Sequence, residues 1–367
     1  MISAPNILAI DPGSTSTKIA LYRDDEPLLE RTLRHDRAEL ASCGAEILSQ
    51  LPLRLSVIDD ELEASGLRLD CIEAVAGRGG LLRPVSGGTY RVSSEMLDEL
   101  RRAERGEHAA NLGAFLADAI ASRIGVPAYI VDPVSVDEWI KIARLSGCVA
   151  LERPCLSHAL NSKAVARRYA LEVGRKYGDM LLVVAHLGSG HTISAHASGR
   201  MIDATNSREE GAFSTERAGS VPAMELVRLC FSGRVTRKEV ETMLIRQGGL
   251  NGYLGTSDLA EVENRMEHGD ERAGLVFRAM AYQIAKEIGA MACVLNGRVD
   301  AIVITGGMAH SHRLCTAISE RVGWIAPVKI YAGEDELRAL ASGVLRVLRG
   351  EEPAREFGVA LEEAVRA

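Results

Sequence analysis

Aromatic residues make up only 4% of the 367-residue chain, too few for the stacking platforms on which single-stranded nucleic acids are held. There is no block of lysines and arginines, and 43 basic against 50 acidic residues leave a formal charge of −7, which argues against a nucleic-acid surface. No apolar run approaches bilayer length, and no basic segment with an apolar stretch precedes the first strand-like run, so a cytoplasmic protein with no membrane partner is expected. The seven cysteines (43, 71, 148, 155, 230, 293 and 315) form no CxxC pair. An odd, scattered set reads as reduced thiols, not as a disulfide framework or zinc site. Also missing is any GxxxxGK[ST] segment, which excludes a P-loop.

What is present is the composition of a globular protein, 47% hydrophobic and 25% charged, on a chain too long for one ordinary core. Two domains are the default for that length. One pattern occurs twice, 175 residues apart from Asp11 to His186. Leu8-Ala9-Ile10-Asp11-Pro12-Gly13-Ser14-Thr15-Ser16-Thr17 and Val183-Val184-Ala185-His186-Leu187-Gly188-Ser189-Gly190-His191-Thr192 are each an apolar run, a polar residue and a Gly-Ser turn ending in Thr. An apolar stretch resumes after each. A strand, a Gly-rich polar turn and a second strand make a hairpin whose tip offers N–H groups and hydroxyls to a ligand.

Around the hairpins at 6–22 and 181–203, helices are expected over 36–67, 108–124, 161–177 (Lys/Arg on one side) and 273–295, and strands at 71–76, 128–133 and 301–304. A Rossmann unit places its glycine turn between strand and helix; here it lies between two strands. The expected fold class is therefore α/β, with two similar actin-like (ribonuclease H-like) domains and a nucleotide cleft between them. The domains are placed at 1–155, with the C-terminal helix of about 338–367 packing back on it, and at 156–337.

Several segments carry chemistry. Asp11 to Lys18 offers a carboxylate, four hydroxyls and a cation; Gly13 allows close approach to phosphate, and Asp11 can hold Mg²⁺. A Ser/Thr-rich turn is the plainer reading of that segment, and its echo at His186–Thr192 weighs against it. Thr305-Gly306-Gly307-Met308-Ala309 follows a buried strand, where paired glycines permit contact with a flat ligand such as adenine. Arg78 and Arg217 are flanked by small residues, leaving room for an anion to reach the guanidinium. His108, His158 and His186 are candidate polar site residues. Glu334-Asp335-Glu336 reads as metal ligands or as an acidic helix start.

Taken together, these segments resemble the acetate/butyrate kinase family, its butyrate kinase branch most. The resemblance rests on Ala9–Lys18, Gly79-Gly80-Leu81-Leu82, Gly87-Gly88-Thr89-Tyr90, Tyr129–Val134, His158-Ala159-Leu160-Asn161, Ala185-His186-Leu187-Gly188 and Glu216-Arg217-Ala218-Gly219. Gly248-Gly249-Leu250, Tyr253–Thr256, Tyr282–Met291 and Thr305-Gly306-Gly307 extend it over nearly the whole chain. It implies reversible transfer of the γ-phosphoryl of ATP to a short carboxylic acid, giving an acyl phosphate and ADP, by a homodimer or higher homo-oligomer. It further implies that Arg78 and Arg217 bind the carboxylate and the phosphoryl group. His158 would contact equatorial oxygens, with Asp132 and His108 nearby. Gly13, Ser14, Thr15 and His186, Gly188, Ser189, Gly190 would meet phosphates, with Asp258 also in the nucleotide set. Thr305–Ala309 would hold adenosine, and Asp11 with one acid of Glu334, Asp335 and Glu336 would serve Mg²⁺.

The chain departs from the family where Asn is usual at Asp11; a carboxylate repels phosphate unless a cation lies between. Ser157 stands where Phe is common, which implies a wider or more polar acyl pocket and an acid other than butyrate, otherwise the leading acceptor. The turn Gly188-Ser189-Gly190-His191 is less glycine-rich than usual, and Arg208–Ala212 is irregular. Two alternatives stay open: a kinase of alcohols, with Asp132 as general base, and a nucleotide-binding regulator without catalysis.

Overall fold

The computed structural model describes residues 4–67 and 69–358. These divide into two compact units: residues up to Asp137 with those from Asp335 onward, and Glu138–Glu334. The boundary thus falls before the position near 155 suggested by Pro154, because the intervening segment is bonded into the second unit. Ile140 N–H donates to Ile202 O at 2.9 Å, Met201 N–H to Glu138 Oε2 at 2.8 Å, and the Arg153 fork grips Glu210 at 2.9 Å through both Nε and Nη2. The chain returns to the first unit at Asp335, and its last described helix is Glu336–Leu348; residues 359–367 of the expected C-terminal helix lie outside the described residues.

The first unit is built on strands β1 (Asn6–Pro12), β2 (Ser16–Arg23), β3 (Glu26–Arg34), β4 (Ala74–Arg78), β5 (Thr89–Arg91) and β6 (Ala128–Val131). They form one sheet in the order β3-β2-β1-β4-β6-β5. β1 is antiparallel to β2 and parallel to β4, which is parallel to β6. β1 is buried along its whole length, as a strand covered on both faces must be. The edge strand β3 instead turns Glu26, Glu30, Arg31 and Arg34 to solvent, which blunts the edge against pairing.

The second unit holds β7 (Leu182–Leu187), β8 (His191–Ala197), β9 (Arg200–Ala204), β10 (Ala301–Gly306) and β11 (Val328–Ala332), in the order β11-β10-β7-β8-β9. An antiparallel three-strand meander followed by two parallel strands is common to both sheets. β5 is an addition to the first. The duplication read from the two hairpins is therefore a duplication of whole sheets, and the fold is the mixed α/β, two-domain one.

The helix Glu271–Val294 buries Ala273, Phe277, Met280, Ile284, Ile288 and Met291, a 3.6-residue stripe laid on the second core. Asp270 caps its start at Ala273 N–H (2.9 Å), and Asn296 and Gly297 with positive φ follow its end. Two sequence expectations change. The helix expected over 36–67 splits into Arg37–Ser42 and Leu51–Ala64, separated where Gly44 takes φ +127° and where Pro52 opens the second piece. The basic face expected on 161–177, now Ala159–Glu172, is not wholly solvated: Lys163 is buried, with Nζ 2.7 Å from Glu138 Oε2. Among the described residues, no helix is long and apolar enough to cross a membrane.

The helix Asn111–Ile124 docks on β4 through two glycines. A β-carbon on Gly77 would collide with the Gly113 backbone, and one on Gly113 with the Arg78 backbone. The end of β4, and with it Arg78, is thereby fixed against the helix. Alanine is the better helix former by about 1 kcal/mol, yet Gly113→Ala is expected to destabilise by about 3 kcal/mol through overpacking. Urea unfolding checks this; an unchanged or raised midpoint would show that the backbones do not meet.

Candidate functional site

In the first unit, β1–β2 pairing runs out at Pro12 and Thr17, leaving Gly13-Ser14-Thr15 as the hairpin tip. Gly13 N–H closes the turn on Ser16 O at 2.8 Å. Asp11 is the last residue but one of β1, and Arg78 ends the neighbouring β4, level with it because Ile10 pairs with Gly77. Arg78 Nη1 lies 3.3 and 3.4 Å from the two Asp11 oxygens and also donates to Glu336 Oε1. Burial works to raise the Asp11 pKa, but the Arg78 charge, a side-chain hydrogen bond with Glu336 and the Lys18 charge hold it below the usual range. Burial likewise opposes the charge on Arg78, and Asp11 and Glu336 more than restore it. Arg78 is thus already matched by two carboxylates, where the sequence suggested an arginine open to an anion.

The three adjacent acids have separate partners. Glu336 meets Arg78. Asp335 caps the last helix, accepting from Arg338 N–H (3.2 Å) and Nε–H (2.9 Å). Glu334, in the second unit, places Oε1 3.1 Å from His186 Nε2. Of the described residues, no group of three or more His, Cys, Asp or Glu is gathered to hold a metal ion.

In the second unit, His186 is the last residue but one of β7, at 1% exposure. Its Nδ1 is 3.0 Å from Asn161 Oδ1, and its ring stacks on His158 with centroids 4.0 Å apart and planes 10° from parallel. His158 precedes the helix Ala159–Glu172 and is anchored through Nδ1 to Thr192 Oγ1 at 2.9 Å. Both imidazoles are therefore held rigidly, on groups from two strands and a helix.

The turn Gly188-Ser189-Gly190 joins β7 to β8. Arg217 lies directly on it: a β-carbon at Gly190 would overlap the guanidinium. Ser214 Oγ donates to Ser189 O and accepts from Arg217 N–H at 3.1 Å, tying the arginine's loop to the tip. The guanidinium donates through Nη1 to Ser207 O, and it forms no ion pair among the described residues. Burial pushes its pKa down, with Glu216 opposing and Arg208 reinforcing. A half-buried cation whose guanidinium has only a carbonyl for a partner favours an incoming anion.

β10 ends beside the same tip. Gly306 takes φ +94° and lies so near Leu187 that a β-carbon would strike its backbone. Thr305 Oγ1 donates to Gly333 O at 3.2 Å. Gly307 faces open space, while Met308 and Ala309 are buried in the core. Three expected site residues have local structural bonds. His108 is exposed and its Nδ1 accepts from Ala110 N–H at 3.1 Å. Asp258 caps the helix Leu259–Glu267. Asp132, buried at φ +37°, accepts from Gly88 N–H at 2.7 Å and donates its own N–H to Gly88 O at 3.0 Å.

Arg54, His35, Asn161, Thr192, Ser214 and His191 were not assigned as site residues from the sequence, although Asn161 lies inside a segment that carries the resemblance, and His191 and Thr192 inside the second copy of the repeat. Asn161, three residues after His158 and so on the same helix face, and His191 and Thr192, directly after the second tip, left a positional signal; Arg54, His35 and Ser214 meet the tips through tertiary contact. His191 follows the second tip and is 2% exposed. Neither ring nitrogen makes a hydrogen bond of good geometry.

The duplicated α/β units, each with a glycine-bearing hairpin tip, define the class: a two-domain fold of the kind that acetate and propionate kinases share. The particular match is to the acetokinase family, whose model fits residues 155–322. Acetate kinase from Porphyromonas gingivalis is similar over 94% of this chain and 100% of its own, with 18% identity and a TM-score of 0.79. Acetate kinase from Entamoeba histolytica is similar over 92% and 98%, with 16% identity and a TM-score of 0.73. Propionate kinase from Francisella tularensis subsp. tularensis gives 92% and 98%, with 17% identity and a TM-score of 0.71.

His191 supplies a pH test. Burial, then the charges of His186 and Arg217, lower its pKa from 6.5 to about 3, against a weak backbone contact with Phe213. The unfolded chain binds a proton that the folded one refuses between about 3 and 6.5. Stability from this residue is therefore complete above 6.5 and lost as pH falls toward 3, about 4–5 kcal/mol across that window. His191→Leu is expected to flatten the rise in unfolding free energy between pH 4 and 7; an unaltered slope would assign it elsewhere.

Proposed function

We propose that this chain is a carboxylate kinase, transferring the γ-phosphoryl of ATP to a short- or branched-chain acid and forming an acyl phosphate and ADP reversibly. The observation that carries the reading is Arg217, a half-buried guanidinium without an acid partner among the described residues, seated on the second hairpin's tip. The acetokinase match over the segment containing it supports the same reading.

The chemistry asks little else of the protein. A carboxylate is already a nucleophile at neutral pH, so catalysis reduces to in-line positioning and to neutralising charge on the phosphoryl oxygens. Arg217 serves that charge, since a guanidinium stays protonated and matches paired oxygens. His158, fixed by Thr192 and stacked on His186, donates to an equatorial oxygen. Gly188–Gly190 and, beside Gly13, Ser14 and Thr15 offer backbone N–H groups to phosphates, and the Gly306–Gly307 turn offers an open face to adenosine, with Asp258 a further nucleotide residue. Arg78 has a substrate role only when it exchanges a carboxylate partner for the incoming acid. Asp132, engaged with Gly88, and His108, at a helix start, support the site's framework.

Hard oxygen donors suit Mg²⁺, which takes one or two carboxylates and completes its shell with phosphate and water. Asp11 and Glu336, brought together on Arg78, fit that donor set, and the ion would neutralise phosphate charge. Asp11→Asn is expected to raise the Mg²⁺ concentration for half-maximal activity several-fold; an unchanged titration would remove Asp11 from the metal's shell.

Butyrate is the leading acceptor, and Ser157 modifies the expectation: its hydroxyl is buried without a hydrogen-bond partner, so it favours acids other than butyrate that are branched or carry a polar group. The cell location is proposed as cytoplasmic and the assembly as a homo-oligomer. ATP-dependent acyl hydroxamate formation across straight, branched and aromatic acids tests the function. We expect turnover with at least one short acid, and a loss of about 10³-fold or more in Arg217→Gln. ATP binding without any acyl phosphate, whichever acid is offered, would favour a nucleotide-binding regulator instead.

A further inference from the structure

We propose that Arg54 is a positioning residue that turns the first hairpin's tip into an anion receptor. Arg54 sits in the helix Leu51–Ala64 at 0% exposure. All five of its N–H groups are used. Nε and Nη2 donate to Gln50 Oε1 (3.2 and 2.9 Å), Nη1 to Ser16 O and Thr17 Oγ1 (3.0 Å each), and Nη2 to Ser14 O (3.3 Å). Every acceptor is neutral. Arg54 makes no ion pair among the described residues, and burial pushes its pKa down, so a full positive charge lies beneath the tip without a counter-charge.

The direction of these bonds matters more than their number. Arg54 draws the Ser14 carbonyl inward. Because the peptide is planar and trans, the Thr15 N–H of the same unit points the opposite way. His35 N–H holds the Thr15 carbonyl at 3.0 Å, and His35 Nε2 is 2.8 Å from Thr17 Oγ1. Burial, then the Arg54 charge, lowers the His35 pKa, keeping the ring neutral beside the arginine. The tip's carbonyls are thus gathered around Arg54 and His35, while the N–H groups of Ser14 and Thr15, exposed and half-exposed, have no partner among the described residues. Successive outward N–H groups backed by a buried cation form a nest for phosphate oxygens. Arg54 touches no ligand; it fixes the peptide planes that do. That the anion is a phosphate rests on the kinase reading above.

The test uses the full chain, with Mg·ATP, ADP and inorganic phosphate titrated by calorimetry and the Thr15 amide followed by NMR. In the wild type, ATP or phosphate should shift the Thr15 amide. Arg54→Met should weaken phosphate-ligand binding at least tenfold and abolish that shift, while Arg54→Lys keeps the charge, loses the fork and falls between. Thermal melts accompany each variant. A lowered Tm with unchanged affinities would reduce Arg54 to a structural role and overturn the proposal, as would a wild-type Thr15 amide indifferent to both ligands. If Arg54→Met does not fold, Gln50→Leu, which removes the anchor of the fork, should still cost several-fold in affinity; unchanged affinity there overturns it equally. A wild type that binds ATP at Thr15 yet phosphorylates no acid would refute the carboxylate kinase and leave the assignment of Arg54 intact.

Discussion

The functional reading of the second unit depends on one contact, the guanidinium of Arg217 lying on the backbone of Gly190. Without a β-carbon the tip leaves room for a planar cation, and with Ser214 bonded to both Ser189 and Arg217 the loop cannot drift from it. The cation is left with a single carbonyl acceptor. Folding has there taken a charge largely out of water without matching it, a cost that an anionic ligand relieves. Other features of the unit serve that seat: the buried β7–β8 hairpin carries the turn, and the long helix Glu271–Val294 closes the core beneath it.

The first unit handles charge in two ways. Arg78 is saturated by Asp11 and Glu336, whereas Arg54, more deeply buried, has only neutral acceptors. The saturated arginine stabilises the end of β4 and collects two carboxylates that suit a hard cation. The unsaturated one lends its charge to the tip. Both units therefore keep an unmatched arginine at a glycine-bearing turn, although one lies over its tip and the other supports its tip from beneath.

Departures from the pattern of the family that the sequence resembles become intelligible at this level. Asp11, where the resembling family usually has Asn, has Arg78 beside it, so its carboxylate is not a bare negative charge. His191, which makes the second turn less glycine-rich, is accommodated as a neutral ring in the interior. Ser157 leaves an unused hydroxyl in a buried setting.

The sequence by itself determined the two hairpins, the strand-turn-strand placement of the glycines, the α/β alternation and the long core helix. These follow from short-range rules: apolar period, turn residues and capping act within a few positions and are written locally. It also marked Arg78, Arg217, His158 and His186 as residues of interest. It left open which charges are matched. Arg78 meets Glu336 across 258 positions, Arg54 reaches Ser14 across 40, and Glu334, Asp335 and Glu336 part to three different partners. Only the tertiary structure decided these, because electrostatic compensation depends on distance and burial in space, and neither is encoded in the spacing of residues along the chain.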